Sequence, residues 1–156
     1  MYLALKLVHV TAVVLFLGNI ITGLFWHAHA ARTRDPRLLF HAMDGIIRSD
    51  RWFTIPGVVV ITLSGIAAAI RAHLPILGTH WILGALLLFA LSGVVFGVRV
   101  APLQKKLRAI AHQGVSSGDF DRTAYHRAAR AWELWGAAAL LLPLGSLALM
   151  VMKPAF

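Results

Sequence analysis

The stretch Leu7–Ala30, LVHVTAVVLFLGNIITGLFWHAHA, holds no Asp, Glu, Lys or Arg. It is therefore long and apolar enough to cross a bilayer, which takes about 20 helical residues. Only a helix satisfies its own backbone at that depth, so the stretch reads as a membrane span. Two histidines, His9 and His27, stand near its ends. They are 18 residues apart, and at about 100° per residue that closes whole turns, so both rings leave one helix face. Phe16, Ile20 and Gly23 lie close to the same line. With an axial separation of about 27 Å, each histidine belongs to a different leaflet.

Three further apolar stretches complete a set of four spans: Leu7–Ala30, Phe53–Ile70, Trp81–Val98 and Trp132–Met152. The chain is 59% apolar and 13% charged, which is membrane-protein composition. Trp26, Trp52, Trp81 and Trp132 mark the span ends, where indole favours the headgroup level. The expected fold class is all-α, a four-helix transmembrane bundle forming a single integral domain over residues 1–156. Ala28-His29-Ala30 imitates a signal cleavage site, but the apolar run is too long for a signal h-region, so a retained first span is expected.

Charge then sets the topology. Of the 15 basic residues, 12 fall in the connections after spans one and three, which lie on one side. Lysine and arginine collect in cytoplasmic loops, so both termini are expected outside and both long connections inside. The net charge of +9 follows from the same rule, and nucleic acid is not an expected partner.

Asp35-Pro36 reads as an N-cap followed by proline in the first turn. After it, Arg37, His41, Asp44, Arg48 and Arg51 recur on one helical face, with Leu39, Met43, Ile46 and Ile47 on another. An amphipathic helix at the inner surface between spans one and two is expected. The later connection should break at Gln113–Gly118, with span three continuing past Pro102 toward Ile110 and the fourth helix starting near Asp121. Gly93-x-x-x-Gly97, Ser64, Gly65 and Ala68 permit close helix approach. Pro143, inside span four, should kink it.

The chain has no cysteine, which removes iron–sulfur ligation, covalent haem attachment and thiol nucleophiles. No triad, phosphate loop or zinc motif is recognisable. Ionisable groups at membrane depth are costly and point to function. His9 could be an axial ligand to haem b, with His80 or His73 at the same level as the second ligand. His27, with His126 opposite, repeats the arrangement at the inner leaflet. Against both stands the plainer role of an imidazole bonded to a neighbouring helix. Glu133 is the one acidic residue placed at a span edge; it could pair with Arg99 or Arg51, pass a proton or bind a quinone headgroup. Asn19, near mid-span, is expected to bond a neighbouring helix.

The segments KLVHVTAVVLFLGNIITGLF, DRWFTIPGVVVITLSG, HWILGALLLFAL and RVAPLQ together resemble the bacterial integral-membrane family known as domain of unknown function 2269. More distantly, Lys6-x-x-His9, LFWHAHA and the Pro56…Gly65 pattern look like haem-containing protoporphyrinogen oxidases, and the copper-resistance D membrane proteins share the layout. The oxidase resemblance implies a haem ligand at His9. That family's third-span lysine has no counterpart in WILGALLLFALSGVVFG, so what carries over is haem binding rather than protoporphyrinogen oxidation. The leading expectation is a bacterial inner-membrane protein with a redox or electron-transfer role, using haem b or quinone. Its expected partners are the lipid bilayer and a second copy or a membrane redox protein. The alternative is a non-enzymatic membrane subunit whose histidines only support packing.

Overall fold

A computed structural model describes residues 1–154. Four helical rods make up the fold: Tyr2–Thr33, Pro36–Arg71, His80–Ser117 and Arg122–Met152, of 32, 36, 38 and 31 residues. At 1.5 Å per residue they are about 46–57 Å long, well beyond the roughly 30 Å hydrocarbon layer. Each rod therefore has a membrane-crossing part and a part that projects beyond it. Two of them change helical geometry partway. The second consists of α2 (Pro36–Ser49), a π-helical turn (Asp50–Thr54) and α3 (Ile55–Arg71). The third consists of α4 (His80–Val95), a π-helical turn (Phe96–Val100) and α5 (Ala101–Ser117). The first and last are α1 (Tyr2–Thr33) and α6 (Arg122–Met152).

The two π turns share a local cause. Each ends two residues before a proline, Pro56 or Pro102, which offers no N–H to the preceding turn. The ladder widens instead: Ile55 N–H reaches Asp50 O, and Ala101 N–H reaches Phe96 O, five residues back. A π turn of this kind is a single-turn insertion in an α-helix and is frequent at functional sites.

Packing differs on the two sides of this level. Toward the chain termini, α1 pairs with α3 and α4 with α6, whereas no Cα of α3 comes within 8 Å of an α4 Cα. The core there is small, made of Ala12, Phe16, Leu17 and Ile61, with Phe89 of α4 packed on Phe16. Toward the basic connections, α2 packs on α5, with α2 also meeting α1 and α5 meeting α6. A larger core sits here, including Leu39, Met43, Leu107, Tyr125 and Trp132. The amphipathic helix after span one thus buries Leu39, Met43 and Ile46 against α5, and it continues into α3 rather than standing apart.

Local signals fall largely where the residue chemistry puts them. Asp35 Oδ1 accepts from Arg37 N–H at 2.8 Å, and Asp121 Oδ1 accepts from Ala124 N–H at 2.8 Å. The expected break at Gln113–Gly118 is shorter than its composition suggests. The helix runs to Ser117 and stops at Gly118, whose φ of 75° is left-handed. Gly114 stays within the helix, and its lack of a side chain lets Phe120 fold back on it; a Cβ there would lie 2.8 Å from that ring. Gly93 and Gly97 have no atom within 4 Å of an added Cβ, so this pair packs nothing inside the chain. Trp132 is not a headgroup anchor: it is 2% exposed, while Trp135 lies nearer the surface with Arg99 over its ring at 5.3 Å.

Candidate functional site

The polar centre of the molecule forms at the π turns. Asp50, 7% exposed, accepts from three side chains on three helices. Thr54 Oγ1 donates to Oδ1 at 2.6 Å, Asn19 Nδ2 to Oδ1 at 3.1 Å, and Gln104 Nε2 to Oδ2 at 2.8 Å. Asn19 Nδ2 also donates to Thr54 Oγ1 at 3.0 Å. No Lys, Arg or His nitrogen among the described residues lies within 4.0 Å of this carboxyl group. The cost of burying it is met by neutral donors instead. Such a network locks α1, the second rod and α5 into one register.

Beside this network lies a cavity of 270 Å³. Its wall includes Asn19, Asp50, Thr54, Ser92 and Gln104 among mainly apolar residues such as Phe16, Val59, Phe89 and Phe96. A concave apolar space with a few convergent polar groups is the usual form of a small-molecule site. Trp132 lines it too, and its indole N–H is buried without a partner. Ser92, opposite, is occupied: its hydroxyl donates to Ala139 O at 2.7 Å.

His27 forms a second buried cluster. Its side chain is 0% exposed, not at an interface, because α6 extends past the membrane and encloses it. Nε2 and the Tyr125 hydroxyl are 3.2 Å apart, and the ring meets Trp132 edge-on at 4.7 Å. Glu133 Oε1 lies 3.4 Å from His27 Nδ1, but off the hydrogen-bonding direction, so that nitrogen has no hydrogen bond. Glu133 therefore approaches His27 rather than the expected Arg99 or Arg51. Arg99 is taken up by Trp135, and Arg51 is exposed.

His9 is half-buried against α3. Its Nδ1 lies 2.9 Å from Ile61 O; since a carbonyl only accepts, Nδ1 carries the hydrogen, which in a neutral ring leaves the lone pair on Nε2. That tautomer is the one an Nε2 ligand to iron would need. The ring is seated on Gly65, where a Cβ would come 2.9 Å from its Cε1. His73 and His80 are exposed and His126 is exposed, and none of them bonds to His9 or His27. None of the five histidines lines the cavity beside Asp50. Among the described residues there is no group of three or more His, Cys, Asp or Glu that could hold a metal ion. The geometry around His9 is that of a helix-to-helix hydrogen bond, and haem gains no support from it.

Asp50, Thr54 and Gln104 were not singled out by sequence reasoning. Asp50 stands between Arg48 and Arg51, where a solvated helix face is the ordinary reading. The available signal was Asp50-x-x-x-Thr54-x-Pro56, with a lone mid-span amide, Asn19, in need of a partner.

No curated protein and no solved structure gives a significant match to this chain. A family model described as "Predicted integral membrane protein (DUF2269)" matches residues 3–154. With that match spanning nearly the whole chain, and four helices long and apolar enough to cross a membrane, the protein belongs to this family of predicted integral membrane proteins.

Proposed function

We propose that this protein binds a lipid-soluble molecule with a compact carbonyl-bearing head, quinones being the fitting class, in the cavity beside Asp50. One observation carries the reading: a buried carboxyl group held by three donors stands in the wall of a mainly apolar intramembrane cavity. An ionisable residue at such a position is a functional site by default. The indole N–H of Trp132 and the second N–H of Gln104 supply donors for a carbonyl oxygen. An apolar tail has an exit between α3 and α4, whose backbones stay apart. A quinone takes up or releases protons when its redox state changes, and Asp50 is the wall residue able to hold one. The basic end is placed in the cytoplasm by the positive-inside rule, in a bacterial inner membrane.

The test is a titration of the purified protein in lipid nanodiscs with a short-tailed ubiquinone analogue, followed by thermal unfolding and tryptophan quenching. Saturable stabilisation is expected, about 2.7 kcal/mol at a hundredfold excess over Kd, and it should be much weaker in Asp50→Asn and in Gly93→Phe. Partition into the bilayer with no saturable shift, or equal shifts in all three proteins, overturns the reading.

A further inference from the structure

A second concavity, of 580 Å³, lies between α1 and α2. Its walls carry a polar run on each helix: Asn19, Thr22, His29 and Thr33 on α1, His41 and Ser49 on α2. Separations of 3, 7 and 4 residues on α1 and of 8 on α2 are each close to whole helical turns, which places each set on one helix face. The rim residues Thr22, His29, Thr33, His41 and Gly45 are exposed, while Asn19 and Ser49 are deeper and Ile46 is buried. The polar run therefore leads from the basic end of the molecule inward, and it ends at the residues beside Asp50.

Three residues, Asn19, Gly23 and Ile46, line both this cleft and the cavity of Asp50. They form a wall one side chain thick. The only hydrogen-bonding side chain in it is Asn19, whose amide is bonded to Asp50 and Thr54 on the far side. Ser49, on the cleft side, immediately precedes Asp50, and its hydroxyl bonds only to Ile46 O. We propose that the α1–α2 cleft is an aqueous entrance through which water and protons from the basic end reach Asp50, with Asn19 as the septum.

The groups around Asp50 agree with this route. From α1 and α5 it faces the neutral amides Asn19 and Gln104, and from its own helix Thr54. Arg48 is turned away onto Asp44, Arg51 is exposed, and α6 offers the neutral Trp132. The titratable groups on the path are His29 and His41, both at the mouth. A carboxyl group set between a lipid-side cavity and a water-side cleft can exchange protons with one aqueous phase only. This inference uses the same site as the quinone reading, but its measurements involve no quinone.

The absence of cysteine makes the test direct. Single cysteines at Thr22, Gly45 and Ser49 are treated, in reconstituted vesicles, with a charged, membrane-impermeant thiol reagent. Only thiolate in contact with water reacts, so rates within about tenfold of Ser116→Cys at the exposed end of α5 are expected, with Leu63→Cys on the lipid face of α3 unreactive. Labelling should occur from the side bearing the basic connections alone. In parallel, the infrared carboxyl band that disappears in Asp50→Asn should respond to D₂O an order of magnitude more slowly once Gly45→Trp fills the cleft. Cleft cysteines as unreactive as Leu63→Cys, or an Asp50 band whose response Gly45→Trp leaves unchanged, overturns the proposal. Fast labelling and cleft-dependent exchange in a protein that binds no quinone would uphold it and remove the quinone reading instead.

Discussion

The Ser92 hydroxyl donates to the carbonyl oxygen of Ala139 at 2.7 Å, and Ala139 is four residues before Pro143. Proline has no N–H, so the carbonyl at that position has no partner within its own helix. In hydrocarbon a bare carbonyl is expensive, and Ser92 of α4 supplies the missing donor. Replacing Ser92 with Ala should therefore destabilise the protein by about 1–3 kcal/mol. In a Pro143→Ala background the helix provides its own N–H, and the cost of Ser92→Ala should fall to near zero. Thermal unfolding of the four proteins in detergent gives the coupling directly; equal costs in both backgrounds would break the link between the two residues.

Gly65 gives the second prediction. An added methyl would meet the His9 ring at 2.9 Å, so Gly65→Ala should displace the imidazole and break its bond to Ile61 O. A loss of about 1–3 kcal/mol is expected for this overpacking. His9→Ala should remove the obstruction, leaving the double variant no less stable than His9→Ala alone. An additive double variant would mean that the cost of Gly65→Ala does not come from the His9 ring.

The third concerns the donors to Asp50. Gln104→Met keeps the volume but removes the bond to Oδ2, and a cost of about 1–3 kcal/mol follows from the lost partner. Gln104→Glu should be worse, because it sets a second carboxyl group 2.8 Å from the first, where like charges repel. Unfolding midpoints should rank wild type above Gln104→Met above Gln104→Glu, with the gap between the two variants narrowing as pH falls and the carboxyl groups are neutralised.

A fourth lies on the projecting part. Asp44 on α2 is held by Arg48 Nε and Arg108 Nε, both at 2.7 Å, which ties α2 to α5. This group stands outside the membrane-crossing segments, and the Arg108 hydrogen bond, with help from Arg48, holds its carboxyl below the ordinary value of 3.8. A lowered folded-state value stabilises above the unfolded one and is lost as pH drops through the folded one. Arg108→Ala should therefore lower stability at neutral pH by a few tenths of a kcal/mol, as for exposed pairs, and by nothing in strong acid. Added salt should shrink the neutral-pH effect.

The membrane architecture was legible because span-length apolar runs, indoles and a lopsided basic distribution all report the same solvent boundary. Asn19 was legible for the same reason: a lone amide at mid-span must find a partner. Asp50 was not, since hydropathy places it outside span two, among arginines. What buries it is α5 passing behind it and the widened turn that aims its carboxyl at Asn19, and neither is local in sequence. The enclosure of His27 was hidden on similar grounds: it stands near a span end, but the rods outrun the bilayer and close over it. The pairing expected for Glu133 failed because its neighbour across the helices is α1, a fact that spacing along α6 does not reveal.

The widened turns before Pro56 and Pro102 have a bearing on how this chain tolerates change in length. Each holds one residue more than the surrounding coil would need, so everything downstream is swung about a quarter-turn from where an unbroken spiral would put it. Excising a single residue between Asp50 and Thr54 would shorten the rod by barely an ångström or two. It would close the bulge into ordinary α-helix and leave the facing of α3 nearly unchanged, with Ile61 and Gly65 still toward His9. The same loss elsewhere along the rod, where no spare residue stands, would wheel α3 about its axis and turn both away.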